Sequence, residues 1–331
     1  MKVTAEFACF EVAVGLVLLL AVMACSKTPE QQTAQAQTAQ TAAAGTPTPA
    51  APGGKQDPAT LPHFNGQRAL QYAGEVVSYG PRWVGSPGYA KTQAYLRSQL
   101  KGVNVVEDTF TASTPAGSMR MTNIIAKFPG KKDGIIVVAG HYDTIYNRQD
   151  FVGANDGGSS TGLPLELAHE LRGKNNDGYS IWIVFFDGEE AVKQWTKTDS
   201  VYGSRHLASV WEKDGTLKKI KAFLLVDMVG DADLDILRDL NSTPWLLDVV
   251  YQAATSLGYQ SHFFARATPM EDDHLPFAHA GVPVADLIDY DYGPNNGYWH
   301  SPQDTMDKLG AHSLEIVGSV LLQTIQLLNQ H

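Results

Sequence analysis

Four short apolar runs constrain this chain more than any other feature: GIIVVAG from residue 134, YSIWIVFF from 179, KAFLLV from 221 and VPVADLI from 282. Each has the length of a strand and almost no polar alternation, so each reads as a strand buried on both faces. Helical spacing fills the intervals, over Ser159 to Leu171 and Thr243 to Leu257, and the chain closes on SLEIVGSVLLQTIQLLNQ with one apolar stripe. Two amphipathic helices, FNGQRALQYAGEVVSYG and GYAKTQAYLRSQLKG, come first, followed by VNVVEDTFTAS and MRMTNIIAKF, which read as a hairpin. Strands alternating with helices in this way predict an α/β fold, a three-layer α/β/α sandwich around a mixed, mostly parallel sheet.

Ligands of such open sheets bind outside the carboxyl ends of the strands, and the polar residues collect there. The first run leads into His141 and Asp143, the second into Asp187, Glu189 and Glu190, the third into Asp227, and the fourth toward Trp299 and His300. Asp156 sits in VGANDGGSSTG, a Gly-rich turn before a helix. Taken singly, Asp156 reads as a helix N-cap and Asp227 as a loop acid. Together, acids crowded at one mouth repel one another, and a cation resolves the crowding. Carboxylates and imidazoles without a thiol form a zinc-type donor set. Adjacent Glu189 and Glu190 can divide the work, one on metal and one in the cleft, because neighbours at a strand end point to different sides.

The first 25 residues differ in kind. Lys2 precedes the apolar run VAVGLVLLLAVMAC, too short for a comfortable membrane span and ending in small residues, which reads as an export signal. Its ending VMAC resembles a bacterial lipobox, with Cys25 as the lipidated residue and a membrane-anchored, exported lipoprotein as the consequence. Residues 26–60 are Ala, Thr, Gln and Pro without a bulky apolar side chain, a composition that cannot bury enough surface to fold and reads as a tether. The expected organisation is therefore a signal peptide over 1–25, a tether over 26–60 and one catalytic domain over 61–331. The other cysteine, Cys9, lies in the leader, so the folded part has neither disulfides nor thiolate ligands. A net charge of −10 argues against a nucleic-acid partner.

In combination and in order, GHYDT, GANDGGSSTG, FFDGEE, LLVDMVG, DDHLPF, GVPV and YWHSPQDTMD resemble metallopeptidase family 28 and its glutaminyl-peptide cyclotransferase branch over roughly residues 65–331. The resemblance implies the zinc exopeptidase fold. Its cyclase branch implies a single zinc on Asp156, Glu190 and His300, with Glu189 as proton carrier and Asp272 and Asp227 as the carboxylates behind it. Trp195 and Trp299 match pocket aromatics, and peptide or protein N-termini would be the substrate of a monomeric enzyme. The peptidase branch implies two zincs, His141 and Asp227 completing the second site, and Glu189 activating water. An inactive binding protein of the same fold is a third reading. The animal cyclases carry His where this chain has Asp286, a departure shared with what looks like the bacterial pattern. His206 and His274 read as structural.

Overall fold

A computed structural model describes residues 63–330. The leader, Cys25 and the tether of residues 26–60 lie outside the described residues. The helices are α1 (Gly66–Ser78), α2 (Pro87–Gln99), α3 (Ser160–Leu171), α4 (Tyr202–Lys213), α5 (Pro244–Leu257), α6 (Leu275–His279) and α7 (Ala311–Leu328). The strands are β1 (Asn104–Thr114), β2 (Gly117–Phe128), β3 (Lys132–His141), β4 (Tyr179–Phe186), β5 (Ile220–Asp227), β6 (Ile236–Asp239), β7 (Phe263–Thr268) and β8 (Val284–Ile288). Local chemistry starts the first two helices. The Asn65 side chain accepts from the Arg68 N–H, and Ser86 accepts from Tyr89 ahead of Pro87 in the first turn, both satisfying donors a helix start leaves free.

The main sheet runs β1-β2-β4-β3-β5-β8. β1 and β2 form the expected antiparallel hairpin, β2 meets β4 antiparallel, and β4, β3, β5 and β8 are mutually parallel. Alternation along β3 shows why its run is uniformly apolar. Ile136 and Val138 join the core under α1, α2, α3, α5 and α7, whereas Val137 and Ala139 join a second core with Leu207 and Trp211 of α4 and Phe277 of α6. A sheet covered on both sides has no face for polar residues, and the three-layer sandwich is the architecture observed.

Two features depart from the sequence reading. β6 and β7 form a separate parallel pair, too short and polar to stand out by pattern. Asp156 does not cap α3. A π-helical turn, Ala154–Ser159, intervenes, the N-cap is Ser159, and Asp156 has extended dihedrals of φ −78° and ψ 101°. Gly157 behind it has φ +86°, and a Cβ there would lie 2.5 Å from the Asp143 carbonyl oxygen. A residue without a side chain is therefore required for the turn to pass the end of β3.

Candidate active site

Because β4, β3, β5 and β8 are parallel, their carboxyl ends share one edge, and the site is assembled there. Asp156, Glu190 and His300 each offer a ligand atom within 4.8 Å of the other two. His300 Nε2 lies 3.3 Å from Asp156 Oδ2 and 3.6 Å from Glu190 Oε1. Both oxygens are buried and accept no hydrogen bond. Buried carboxylate oxygens almost always have a donor, so two orphans converging on an imidazole fit a divalent cation. Burial pushes Glu190 up to about 8, with Asp156 as the next cause. Burial works against the charge of His300, but Asp156 and Glu190 overcome it and raise the imidazole to about 9.

A second group, His141, Asp156 and Asp227, also lies within 4.8 Å, yet its protein partners already satisfy it differently. His141 Nε2 makes a 3.1 Å hydrogen bond with Asp227 Oδ1, and the Ser160 hydroxyl donates to the same oxygen at 2.6 Å. Glu189 faces the other ring nitrogen, with Oε2 3.8 Å from His141 Nδ1. Burial holds Glu189 well above the usual carboxylate range; His141 opposes this, and Asp272 and Glu190 reinforce it. Asp272 is buried as well and raised by burial and by Asp227.

These groups line a cavity of about 320 Å³ containing Asp156, Glu189, Asp227, Asp272 and His300, with Trp195, Tyr290 and Trp299 as aromatic walls. Trp299 stacks on the His300 ring, centroids 4.0 Å apart and planes at 22°, so it shapes the wall and orients a candidate ligand. His300 itself has φ +50°, a conformation uncommon for non-glycine residues and concentrated at functional sites. Trp195 is held from outside by its Nε1, which donates to Glu271 at 3.3 Å. Asp156, Glu189, Trp195, Asp227, Asp272, Trp299 and His300 thus line one cavity, with Glu190 and His141 buried against Asp156.

Comparison with known proteins fits this arrangement. The model of peptidase family M28 matches residues 123–325. A glutaminyl-peptide cyclotransferase of Boiga irregularis is 30% identical over 280 residues, covering 72% of this chain and 75% of that protein. The solved Acidobacteriales bacterium glutaminyl cyclase is 53% identical, with a TM-score of 0.81, covering 83% of this chain and 98% of that one. The Porphyromonas gingivalis glutaminyl cyclase is 29% identical with a TM-score of 0.72, covering 80% and 98%. This chain belongs to peptidase family M28. Within it, the chain falls in the glutaminyl-peptide cyclotransferase branch. A solved leucine aminopeptidase precursor from Bacteroides thetaiotaomicron, 24% identical with a TM-score of 0.71 and covering 80% and 98%, shares the fold.

Several residues that build this M28 site escaped the sequence reading. Asp143 was visible only as a polar strand end; its carboxylate accepts from the N–H groups of Glu189 and Glu190 at 3.1 and 3.3 Å, fixing the turn that presents both. Asp304, within the YWHSPQDTMD motif, accepts from the N–H groups of Asn155 and Asp156 at 2.8 and 3.2 Å. Asp199 accepts from Val192, Lys193 and Gln194 and so shapes the loop that carries Trp195. Asp187 turns away from the cavity, accepting from the Tyr89 hydroxyl and the Thr122 N–H at 2.5 Å each. Asp286 and His274 form a separate buried group with Asp239. His274 Nε2 lies 3.2 Å from Asp239 Oδ2, and Nδ1 lies 3.6 Å from Asp286 Oδ2.

Proposed function

We propose that this chain is a zinc-dependent glutaminyl-peptide cyclotransferase, converting the N-terminal glutamine of peptides or proteins to pyroglutamate with release of ammonia. The observation that carries the reading is a buried carboxylate, Glu189, in an aromatic-walled cavity beside the Asp156, Glu190 and His300 group, in which Asp156 and Glu190 each present a buried oxygen without a donor. The identity of 53% to a solved glutaminyl cyclase supports it.

The substrate's α-amine attacks the carbon of its own side-chain amide; a C–N bond forms, the amide C–N bond breaks, and ammonia leaves. Asp156, Glu190 and His300 would hold one zinc, which when bound supplies Lewis acidity toward the amide oxygen. Glu189 takes the proton that the amine sheds and returns it to the departing nitrogen, so the carboxyl ends the cycle as it began. Asp272 and Asp227 line the same cavity, and the proximity of Asp272 favours Glu189 holding a proton between the two transfers. Trp195 and Trp299 wall the space a glutamine side chain enters. The hydrogen-bonded His141, Asp227 and Ser160 favour one metal over two.

The alternative is a two-zinc aminopeptidase, for which all five candidate ligands are present. Two peptides differing only in an N-terminal Gln or Leu separate the readings in a mass-spectrometric time course. Ammonia loss from the Gln peptide with the Leu peptide intact is the expected result. Release of free Leu with no pyroglutamate would sink the cyclase reading.

A further inference from the structure

The catalytic cavity does not end at Trp195. A groove of about 560 Å³ continues beyond it. Trp195, Glu271 and Asp272 line both spaces and so form their shared wall. Lys197, Arg205 and His279 line the outer groove and not the inner cavity. Arg205 directs Nε and Nη2 to the Ser200 carbonyl at 3.1 and 2.9 Å and Nη2 to that of Thr198 at 3.3 Å, which leaves Nη1 without a partner. Among the described residues, none of the three bases forms an ion pair with a carboxylate. In a chain of net charge −10, Lys197 and Arg205 place two cations, with His279 beside them, along a groove whose inner wall is the acidic pair Glu271 and Asp272, so the potential changes sign over a short distance.

A peptide bound by its first residue meets that reversal. Its α-amine, positive before it reacts, belongs among Glu189, Asp272 and Glu271, and an extended chain then advances roughly 3.5 Å per residue toward the outer groove. We propose that this groove receives the residues that follow the N-terminal glutamine and favours a carboxylate side chain at the second or third position, with Lys197 as its most accessible charge. The inference deepens the cyclase reading and rests on it for the placement of the first residue. Glu271, tied to Trp195, opposes an acidic side chain only at the shared wall, so selection by charge grows outward from it.

The test uses the zinc-loaded full chain and three peptides identical except for Glu, Ala or Lys after the N-terminal Gln. At low ionic strength, kcat/KM for the Glu peptide should exceed that for the Lys peptide about 3- to 10-fold, the scale of one or two exposed charge contacts, and the ratio should shrink in high salt. Lys197→Glu should reverse the order and leave the Ala peptide unchanged; Arg205 is left intact because it clamps the loop. Binding of the same peptides to the Glu189→Gln protein by calorimetry separates the two ideas. Pyroglutamate formed at equal rates from all three peptides, or a ratio indifferent to Lys197→Glu, overturns the groove and keeps the cyclase. Absent turnover with charge-dependent binding that Lys197→Glu reverses overturns the cyclase and keeps the groove, and charge-independent binding overturns the groove in either case.

Discussion

Glu189 and Glu190 are neighbours in sequence with opposite duties, and the division comes from what each faces. Glu190 points an undonated oxygen toward His300, whereas Glu189 faces His141 and the cavity. The two isosteric amides should therefore fail differently. Glu189→Gln keeps every candidate metal ligand and removes the proton carrier, so zinc should stay stoichiometric while kcat falls about 10²- to 10⁴-fold, the range general acid–base catalysis contributes. Glu190→Gln should lose zinc, because one of three protein ligands becomes a neutral, weaker donor. Metal content by mass spectrometry beside an ammonia-release assay checks both. Zinc loss in Glu189→Gln with full retention in Glu190→Gln would reverse the assignment. Removal of His300 as His300→Ala should behave like Glu190→Gln, and Trp299→Ala should raise KM and also weaken zinc, since its ring stacks on His300.

At the scale of elements, the site depends on loops that fold against distant partners. Arg82 is fully buried and donates to the carbonyls of Tyr142, Val152 and Gly153 at 3.0, 2.5 and 2.8 Å, while its own N–H donates to the Thr144 hydroxyl. Burial lowers its guanidinium to about 10 although Asp304, Asp156 and Asp143 oppose the shift. It thus ties the end of β3 to the turn carrying Asp156 and places a cation beneath the carboxylates. Arg82→Met should cost about 2 to 4 kcal/mol of stability, because the Tyr142 and Val152 carbonyls lose this donor while that of Gly153 keeps only the Gly158 N–H, and should loosen zinc through the displaced turn. Arg82→Lys should recover only a fraction, a point charge being unable to serve three acceptors in fixed directions. Guanidinium chloride midpoints for the three proteins measure this, and near-equal midpoints would remove Arg82 from the account. Such a residue is illegible in sequence. Its partners lie 60 or more positions away, and PRWVG carries no local pattern. By contrast β4 was readable to its end residues, since a strand buried on both faces writes a continuous apolar run, and the candidate ligands His141, Glu190 and Asp227 were readable as polar residues at or just beyond the ends of such runs. The π-helical turn was hidden behind the ordinary look of an acid before a helix, and β6 and β7 behind their brevity.

For the whole molecule, the lipoprotein expectation can be set against the helices of the domain. Among the described residues one helix, α7, is long and apolar enough to span a bilayer, but 67% of its best window is buried inside the domain, where it packs on α1 and α5. A helix committed to the core cannot also face lipid. The membrane signal read from the sequence is Cys25 and the VMAC around it. We propose export followed by lipidation of Cys25, with residues 26–60 tethering a monomeric domain. A single acyl chain gives only marginal binding, whereas two or more hold a protein stably on a bilayer. Wild-type protein should therefore sediment with membranes and resist a salt wash. Cys25→Ser should move it to the soluble fraction while kcat and KM on a Gln peptide stay within about twofold, because the position is 38 residues before the described domain begins at His63. Mass spectrometry of the mature N-terminus completes the experiment. An unmodified N-terminus other than Cys25, or a Cys25→Ser protein that still pellets, would show that something other than this thioether holds the enzyme to the membrane.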